Sequence, residues 1–556
     1  MAKTQWYKEM AVYHIWPRSF CDGNGDGIGD LWGVLGKLDY IQSLGVDAIW
    51  FSPLYPSPNA DFGYDISDYM DIHPDYGTLE LFKEVLEQAH RRGLRVFMDL
   101  VVNHTSDEHE WFKESAKSCD NPYSDYYIWR KGKGKNPPNN WLSVFEGGAW
   151  EYNEARDEYY LHVFAKKQPD LNMDNPKVRE EVKSILRFWL DMGVDGFRED
   201  VITFISKAEG LPNGFPLPVA TGFEHYKHGP HLEEYLREFR DVQNEYDCFA
   251  VGEGPMTSVK DAVNYCTEGP NQLLDMLISF DHMNADCFMA DWVKLPFSLR
   301  KLKKSMSAWQ YEMYGKGWNC LYIENHDHAR VIDRYGSPKY RTESGKMLAA
   351  MYFLQCGTPF IYQGQEIGMG NIRLKKVEDH KDVLTFNNYR LFSNLLHMSD
   401  EKFLDLSAKV NRENARTPVQ WDDSENAGFT TGTPWFSVNE NYHEINVAAQ
   451  QNDPDSLLNF YRQLTAYRKN NELVIYGKYK EYYRNSSELY VYERRWKGEK
   501  LLVVCSFKEK PVHFKAPEQY DLSKGEIVLS NYKDHPHKGN GFMTKPYEVR
   551  VYHFSR

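Results

Sequence analysis

Apolar residues fall along this chain in two alternating rhythms. Short apolar runs at 11–15, 47–52, 94–102, 194–200, 248–253, 274–280, 319–324 and 359–363 read as strands. The run at 94–102 is almost purely apolar, as a parallel strand buried on both faces must be. Between them, residues 31–44, 79–92, 231–244, 298–312 and 343–354 repeat apolar positions at helical spacing, and 455–469 follows the last strand. The unit ending at residue 200 is the most explicit. Asn175 suits a helix N-cap, Pro176 the first helical position and Gly193 the stop, with Val178, Val182, Ile185 and Trp189 on one face between them. Eight strands with interleaved helices predict an α/β fold, a (β/α)8 TIM barrel. Residues 104–171, rich in Asn, Asp, Pro, Lys and Tyr, break the rhythm and read as an inserted loop-rich subdomain after the third strand. Residues 366–450 are polar and irregular, too long for an ordinary connection and therefore expected to be functional. Short alternating runs from 477 onward predict an all-β C-terminal domain. The expected organisation is a barrel over 1–103 and 172–476, the insert over 104–171, and a β-sandwich over 477–556.

Enzymes on this barrel carry their chemistry at the C-terminal ends of the strands. Here the third strand ends Asp99-Leu-Val-Val-Asn103-His104, the fourth Arg198-Glu199-Asp200, the fifth Val251-Gly-Glu253 and the seventh Glu324-Asn325-His326-Asp327. Three acids, Asp200, Glu253 and Asp327, thus converge on one rim with two histidines and an arginine. Loop caps and ordinary ion pairs also place acids at strand ends, but four strand ends of this composition outweigh that reading. Strand alternation puts Arg198 and Asp200 on one face and Glu199 on the other. The Arg198 charge is expected to keep Asp200 ionised, as a nucleophile must be, and neighbouring carboxylates to raise Glu253.

The composition narrows the partners. A formal net charge of −14 argues against nucleic acid and anionic membranes, both of which demand basic surface. No apolar stretch approaches the roughly 20 residues of a membrane span, and no apolar run follows the N-terminal lysine as in a secretory signal. Eight cysteines without C-x-x-C or framework spacing read as unpaired thiols of a cytoplasmic protein. A loop after the first strand, Asp22-Gly-Asn24-Gly-Asp26-Gly-Ile28-Gly-Asp30, alternates oxygen-bearing side chains with glycines and can wrap a hard cation. It begins like an EF-hand loop but has Gly33 where the bidentate Glu would stand; a metal-free turn is the alternative.

The four strand ends resemble the conserved regions of the α-amylase family, glycoside hydrolase family 13. Gln168-Pro-Asp-Leu-Asn172 is similar to a fifth region in the form that marks the oligo-1,6-glucosidase subfamily, and Asn411-Arg-Glu-Asn-Ala-Arg-Thr-Pro-Val-Gln-Trp421 to the segment after its eighth strand. The resemblance runs nearly the whole chain. It implies a retaining, exo-acting α-glucosidase on small oligosaccharides, with Asp200 as nucleophile, Glu253 as general acid/base and Asp327 stabilising the transition state. By the same resemblance Asp61, Tyr64, His104, Phe164, Arg198, His326 and Arg416 hold the non-reducing glucose, Asp61 and Arg416 clamping its terminal end. Val201, directly after the nucleophile, implies a preference for α-1,6 bonds. Asp22, Asn24, Asp26, the Ile28 carbonyl and Asp30 would hold a structural Ca2+ or Mg2+, with no organic cofactor, in a monomer. Three departures stand out: Glu199 in place of an apolar residue, His328-Ala329 in place of Gln-Pro, and Gly254-Pro255 in place of Met-Pro. The competing readings are an α-glucosidase acting on sucrose or α-1,4 bonds, a sucrose isomerase or transglucosidase, and a non-catalytic transporter subunit. The stretch 286–302 lacks the Arg-rich motif of the isomerases, and the transporter subunits lack the three acids and carry a membrane span.

Overall fold

The computed structural model describes all residues except 1–4, 146, 218–219, 289, 537 and 556. The apolar runs become β1 (Val12–Ile15), β2 (Ala48–Phe51), β3 (Arg95–Leu100), β4 (Gly196–Glu199), β5 (Phe249–Glu253), β6 (Met276–Ile278), β7 (Cys320–Leu321) and β8 (Thr358–Tyr362). They form one parallel sheet in the order β7-β8-β1-β2-β3-β4-β5-β6, and a parallel bridge between Leu277 and Asn319 joins its two edges into a barrel. Several strands are shorter than the runs that announced them, because the last residues of each run leave the ladder to turn over the rim. Every residue of β1, β2, β4, β5 and β8 is buried, as parallel strands covered on both faces must be. The register pairs Asp99 with Arg198, and Arg198 with Val251, so the charged strand ends finish level with one another. Gly196 permits this spacing: a Cβ there would lie 2.6 Å from the Phe249 carbonyl oxygen.

The helix Pro176–Met192 has the expected boundaries for the expected reasons. The Asn175 side chain accepts from the Lys177 N–H, and Gly193 ends the helix at φ +106°. Val178, Val182, Ile185 and Trp189 are buried along its inner face. A short helix between β5 and β6, Val259–Cys266, adds to those foreseen.

The segment 104–171 carries a three-stranded antiparallel sheet, Trp129–Arg130, Glu158–Leu161 and Trp150–Asn153, tied to the barrel rim by bridges His104–Asp170 and Tyr127–Leu171. Its apolar core includes Trp141, Leu161 and Val163, and takes in Val201 and Phe204 from the loop after β4. The segment expected to be irregular contains two helices, Val383–Leu396 and Asp400–Val410. The first buries only Thr385, so no continuous apolar face announces it. Beyond 477, β9 (Lys478–Tyr482), β10 (Leu489–Trp496), β11 (Glu499–Ser506), β12 (Glu526–Ser530) and β13 (Val549–Phe554) form an antiparallel sheet in the order β9-β10-β11-β13-β12. Leu489, Val491, Leu502 and Val504 on one face pack on Phe514 and Phe542 of a two-stranded sheet; Tyr490, Tyr492 and Val503 on the other join the barrel's core. Among the described residues no helix is long and apolar enough to cross a membrane.

Candidate active site

Arg198 leaves β4 with its side chain only 2% exposed and meets three carboxylates. Its Nη1 lies 2.7 Å from Asp99 Oδ1 and 2.5 Å from Asp200 Oδ1, and its Nη2 lies 2.7 Å from Glu253 Oε1. One guanidinium thus bonds both Asp200 and Glu253. Direct attack by one carboxyl needs the two close together, about 5 Å apart, and a shared guanidinium is a contact that brings them together. Glu253 Oε2 accepts from the Val201 N–H at 2.9 Å.

The electrostatics pull the three acids in different directions. Burial, then the neighbouring acids, push Asp200 well above the ordinary carboxylate range, and Arg198 only partly counters this because its charge is divided among three acids. Glu253 is raised too, by burial first and by Asp327, against Arg198 and the Val201 N–H. Asp99 is raised to about 6 by burial. Asp200 and Glu253 therefore titrate as a coupled pair, both displaced upward by burial. Asp327 behaves oppositely. Burial pushes it up, but His326, Arg416 and Arg412 outweigh that and hold it well below the usual range.

The pocket's inner end is a chain of alternating charge. Asp61 pairs with Arg412 at 2.9 Å, Arg412 with Asp382 at 2.5 Å, Asp382 with Arg416 at 3.2 Å, and Arg416 with Asp327 at 3.1 Å. The expected clamp of Asp61 and Arg416 therefore changes: both are buried at this end, but Arg412 is the partner of Asp61. Burial first, with Arg412 opposing it, raises Asp61 to about 6. Arg416 stacks 4.3 Å over Trp16 and donates to the His326 carbonyl. The Tyr64 hydroxyl bonds Asp99 Oδ2 at 3.1 Å and His326 Nε2 at 2.8 Å, linking this end to the Arg198 cluster. His104 faces the Tyr64 carbonyl and Gln168, and Phe164 lies 5.1 Å from its ring. Burial lowers His104 and His326 to about 4, so both are neutral and able to bond sugar hydroxyls.

Three residues here were missed from sequence: Asp99 and Arg412, which stood in quoted motifs without a role, and Asp382, in a polar stretch with no pattern around it. Glu199 finds its partner on the helix Leu232–Asn244, where Gln243 donates to it at 2.6 Å. His328 bonds Asp291 through Nδ1 at 2.6 Å. In the loop after β1, a single N–H of Asn24 lies 3.0 Å from Asp22 Oδ1 and 3.1 Å from Asp30 Oδ2. Asn24 and Asp26 cap the next turns through their side-chain oxygens. Among the described residues no three His, Cys, Asp or Glu side chains are gathered as a metal cage, and no cationic side chain pairs with Asp22, Asp26 or Asp30.

The α-amylase catalytic-domain family matches residues 14–477. The chain is 49% identical over 554 residues to an oligo-1,6-glucosidase of Parageobacillus thermoglucosidasius, covering 98% of each. The crystal structure of Bacillus licheniformis trehalose-6-phosphate hydrolase superposes with a TM-score of 0.94 at 43% identity, over 99% of this chain and 100% of that one. A mutant of isomaltulose synthase from Erwinia rhapontici NX5, solved in complex with its natural substrate sucrose, does so with 0.95 at 38% identity, over 100% of both.

Arg412→Lys keeps the charge at the closed end but loses the fork that spans Asp61 and Asp382. Steady-state kinetics on a small α-glucoside should show KM raised about 10-fold, ~1.4 kcal/mol, with kcat changed far less. A fall in kcat at constant KM would remove Arg412 from substrate binding.

Proposed function

The chain belongs to the α-amylase family of glycoside hydrolases, and from that premise we propose that it is a retaining, exo-acting α-glucosidase that hydrolyses terminal α-1,6 bonds of isomaltose and short isomalto-oligosaccharides. The observation that carries the reading is the single Arg198 fork shared by Asp200 and Glu253. Asp200 attacks the anomeric carbon while Glu253 protonates the departing oxygen, and a glucosyl–Asp200 ester forms with inversion. Glu253, now ionised, takes a proton from water, whose oxygen displaces Asp200 with a second inversion. Burial and Asp327 favour the protonated form of Glu253, the form that donates to the glycosidic oxygen. Asp327, kept ionised, faces the positive charge that develops on the ring. The charge chain from Asp61 to Asp327 closes the inner end, so one terminal glucose fits and the rest of the substrate points outward.

Val201 supports the α-1,6 preference. It follows Asp200 directly and is a β-branched residue at the edge of the leaving-group side. Its side chain is 7% exposed, so an α-1,4-linked sugar would meet only the exposed edge of the β-branch, whereas the extra rotatable bond of an α-1,6 linkage swings clear. One such contact is worth ~1–3 kcal/mol, roughly 10- to 200-fold. The sequence 286–302, which contains the hairpin Cys287–Phe288 and Ala290–Lys294, lacks the Arg-rich motif of isomerases, favouring water over a second sugar as acceptor. The reading includes a monomer, since one chain supplies every site residue, and a reducing, cytoplasmic setting, supported by eight unbridged cysteines.

The loop after β1 is proposed to hold a structural Ca2+ or Mg2+. Asp22 and Asp30 both accept from the Asn24 N–H, with further N–H groups of Gly23, Gly25, Gly27 and Gly33 and the Thr430 hydroxyl around them, and burial raises Asp30. Asp22, Asn24, Asp26, the Ile28 carbonyl and Asp30 fit a hard ion that accepts amide and backbone oxygens beside carboxylates. An ion there would neutralise that charge and stabilise the native state alone.

Two outcomes are expected. Wild-type kcat/KM should favour isomaltose over maltose, and Val201→Thr should narrow the ratio; a preference for maltose or sucrose would overturn the linkage. Chelation should lower the melting temperature with little effect on turnover below it, and Asp26→Ala should abolish the shift. If neither melting temperature nor metal content responds, the loop is only a turn.

A further inference from the structure

A β-branched residue with positive φ is a steric outlier. Val201, next to Asp200, adopts φ +33° and ψ +40°. Such a conformation is strained and persists only where its surroundings impose it. Those surroundings are visible. The Val201 side chain is 7% exposed and packs in the core of the 104–171 insert, a cluster that includes Trp141, Val163, Phe204 and Tyr226. Its N–H meanwhile donates to Glu253 Oε2 at 2.9 Å, while Arg198 Nη2 holds Oε1 at 2.7 Å. The Glu253 carboxyl is thus pinned at both oxygens, once by a cation of the neighbouring strand and once by a strained peptide. A relaxed, right-handed Val201 would shift that peptide against the fixed chain on either side.

We propose that the Val201 peptide is a positioning element for Glu253: the left-handed turn, held in place by the insert's apolar core, aims an N–H that fixes the rotation of the acid/base carboxyl. This rests on the reading of Glu253 as the acid/base. It gives the insert a part in the chemistry beyond walling the pocket, because the packing that holds the turn comes from the insert and the group it orients comes from β5.

The groups facing Glu253 set the sign of the pH effect. Arg198 and Asp200 approach from β4 and its end, Asp99 from β3, and Asp327 and Tyr322 from beyond β7. Burial and the acids favour the protonated carboxyl; Arg198 and the Val201 N–H favour the ionised one. Loosening that N–H therefore raises Glu253 further and moves the alkaline limb of kcat/KM, where the general acid loses its proton, to higher pH.

Val201→Gly removes the steric reason for strain and the anchoring side chain together. On isomaltose its kcat should fall about 10- to 100-fold, with KM within about 3-fold and the alkaline limb moved up. On α-glucosyl fluoride, whose leaving group departs without a proton, the fall should be much smaller. Val201→Thr retains the β-branch and should leave the alkaline limb in place, whatever it does to linkage preference. Should Val201→Gly not fold, Val201→Ala, which also loses the anchoring methyl groups, takes its place with the same expectations. Equal losses on isomaltose and the fluoride with an unmoved limb, or wild-type behaviour throughout, would overturn the proposal. Glu253→Gln, measured alongside, separates the two readings. If it cleaves isomaltose as the wild type does, the acid/base assignment itself fails; if it cleaves only the fluoride, that assignment stands and the Val201 result is judged alone.

Discussion

The rim of this barrel is organised by one guanidinium. Arg198 is buried among Asp99, Asp200 and Glu253. Three acids brought together without it would repel and protonate; with it, they share one positive charge and sit within hydrogen-bond reach of a common centre. The barrel supplies the geometry that makes this possible. Parallel register brings Asp99, Arg198 and Val251 level on adjacent strands, and the glycine at 196 lets β4 and β5 approach closely enough for Arg198 to reach across. Truncating the arginine would leave buried acids unpaired, a loss of about 3–5 kcal/mol.

A second ionic chain, from Asp61 through Arg412, Asp382 and Arg416 to Asp327, does for the closed end of the pocket what Arg198 does for the reacting end. Tyr64 and His326 join the two. The division of labour follows from charge balance. Where one arginine serves three acids, burial prevails and the carboxyls are raised. Where arginines and a neutral histidine crowd Asp327, the acid stays ionised and meets the positive charge of the transition state. Similar residue types thus serve opposite roles through their neighbours alone.

Much of this was legible in the chain. The eight strands announced themselves as apolar runs, and the helix Pro176–Met192 by its cap, its proline and its terminal glycine. The acids and histidines were legible because strand ends on this fold are where chemistry collects. What escaped notice has physical reasons. Asp382 lies 55 residues beyond Asp327, the nearest of the other pocket acids in sequence, and it caps a helix that buries one residue and so shows no apolar face. Arg412 and Arg416 stood in one motif, and only packing decides which of them reaches Asp61. The upward pull on Asp200 has no signature in sequence, which shows its neighbour Arg198 but not the two other acids that draw on the same charge. The strained backbone at Val201 has no signature in sequence, since valine is the residue least expected there.

The central claim is that the acid sharing Arg198 with Glu253 is the one that takes the sugar. It is tested most directly by trapping. Incubation with 5-fluoro-α-D-glucosyl fluoride, which slows release of the bound sugar more than its capture, should add one fluoroglucosyl group to the protein. Mass spectrometry of the digest should place that group on the peptide containing Asp200, within the sequence Gly196-Phe-Arg-Glu-Asp200. A label on another residue, or turnover that never yields a covalent adduct, would contradict it.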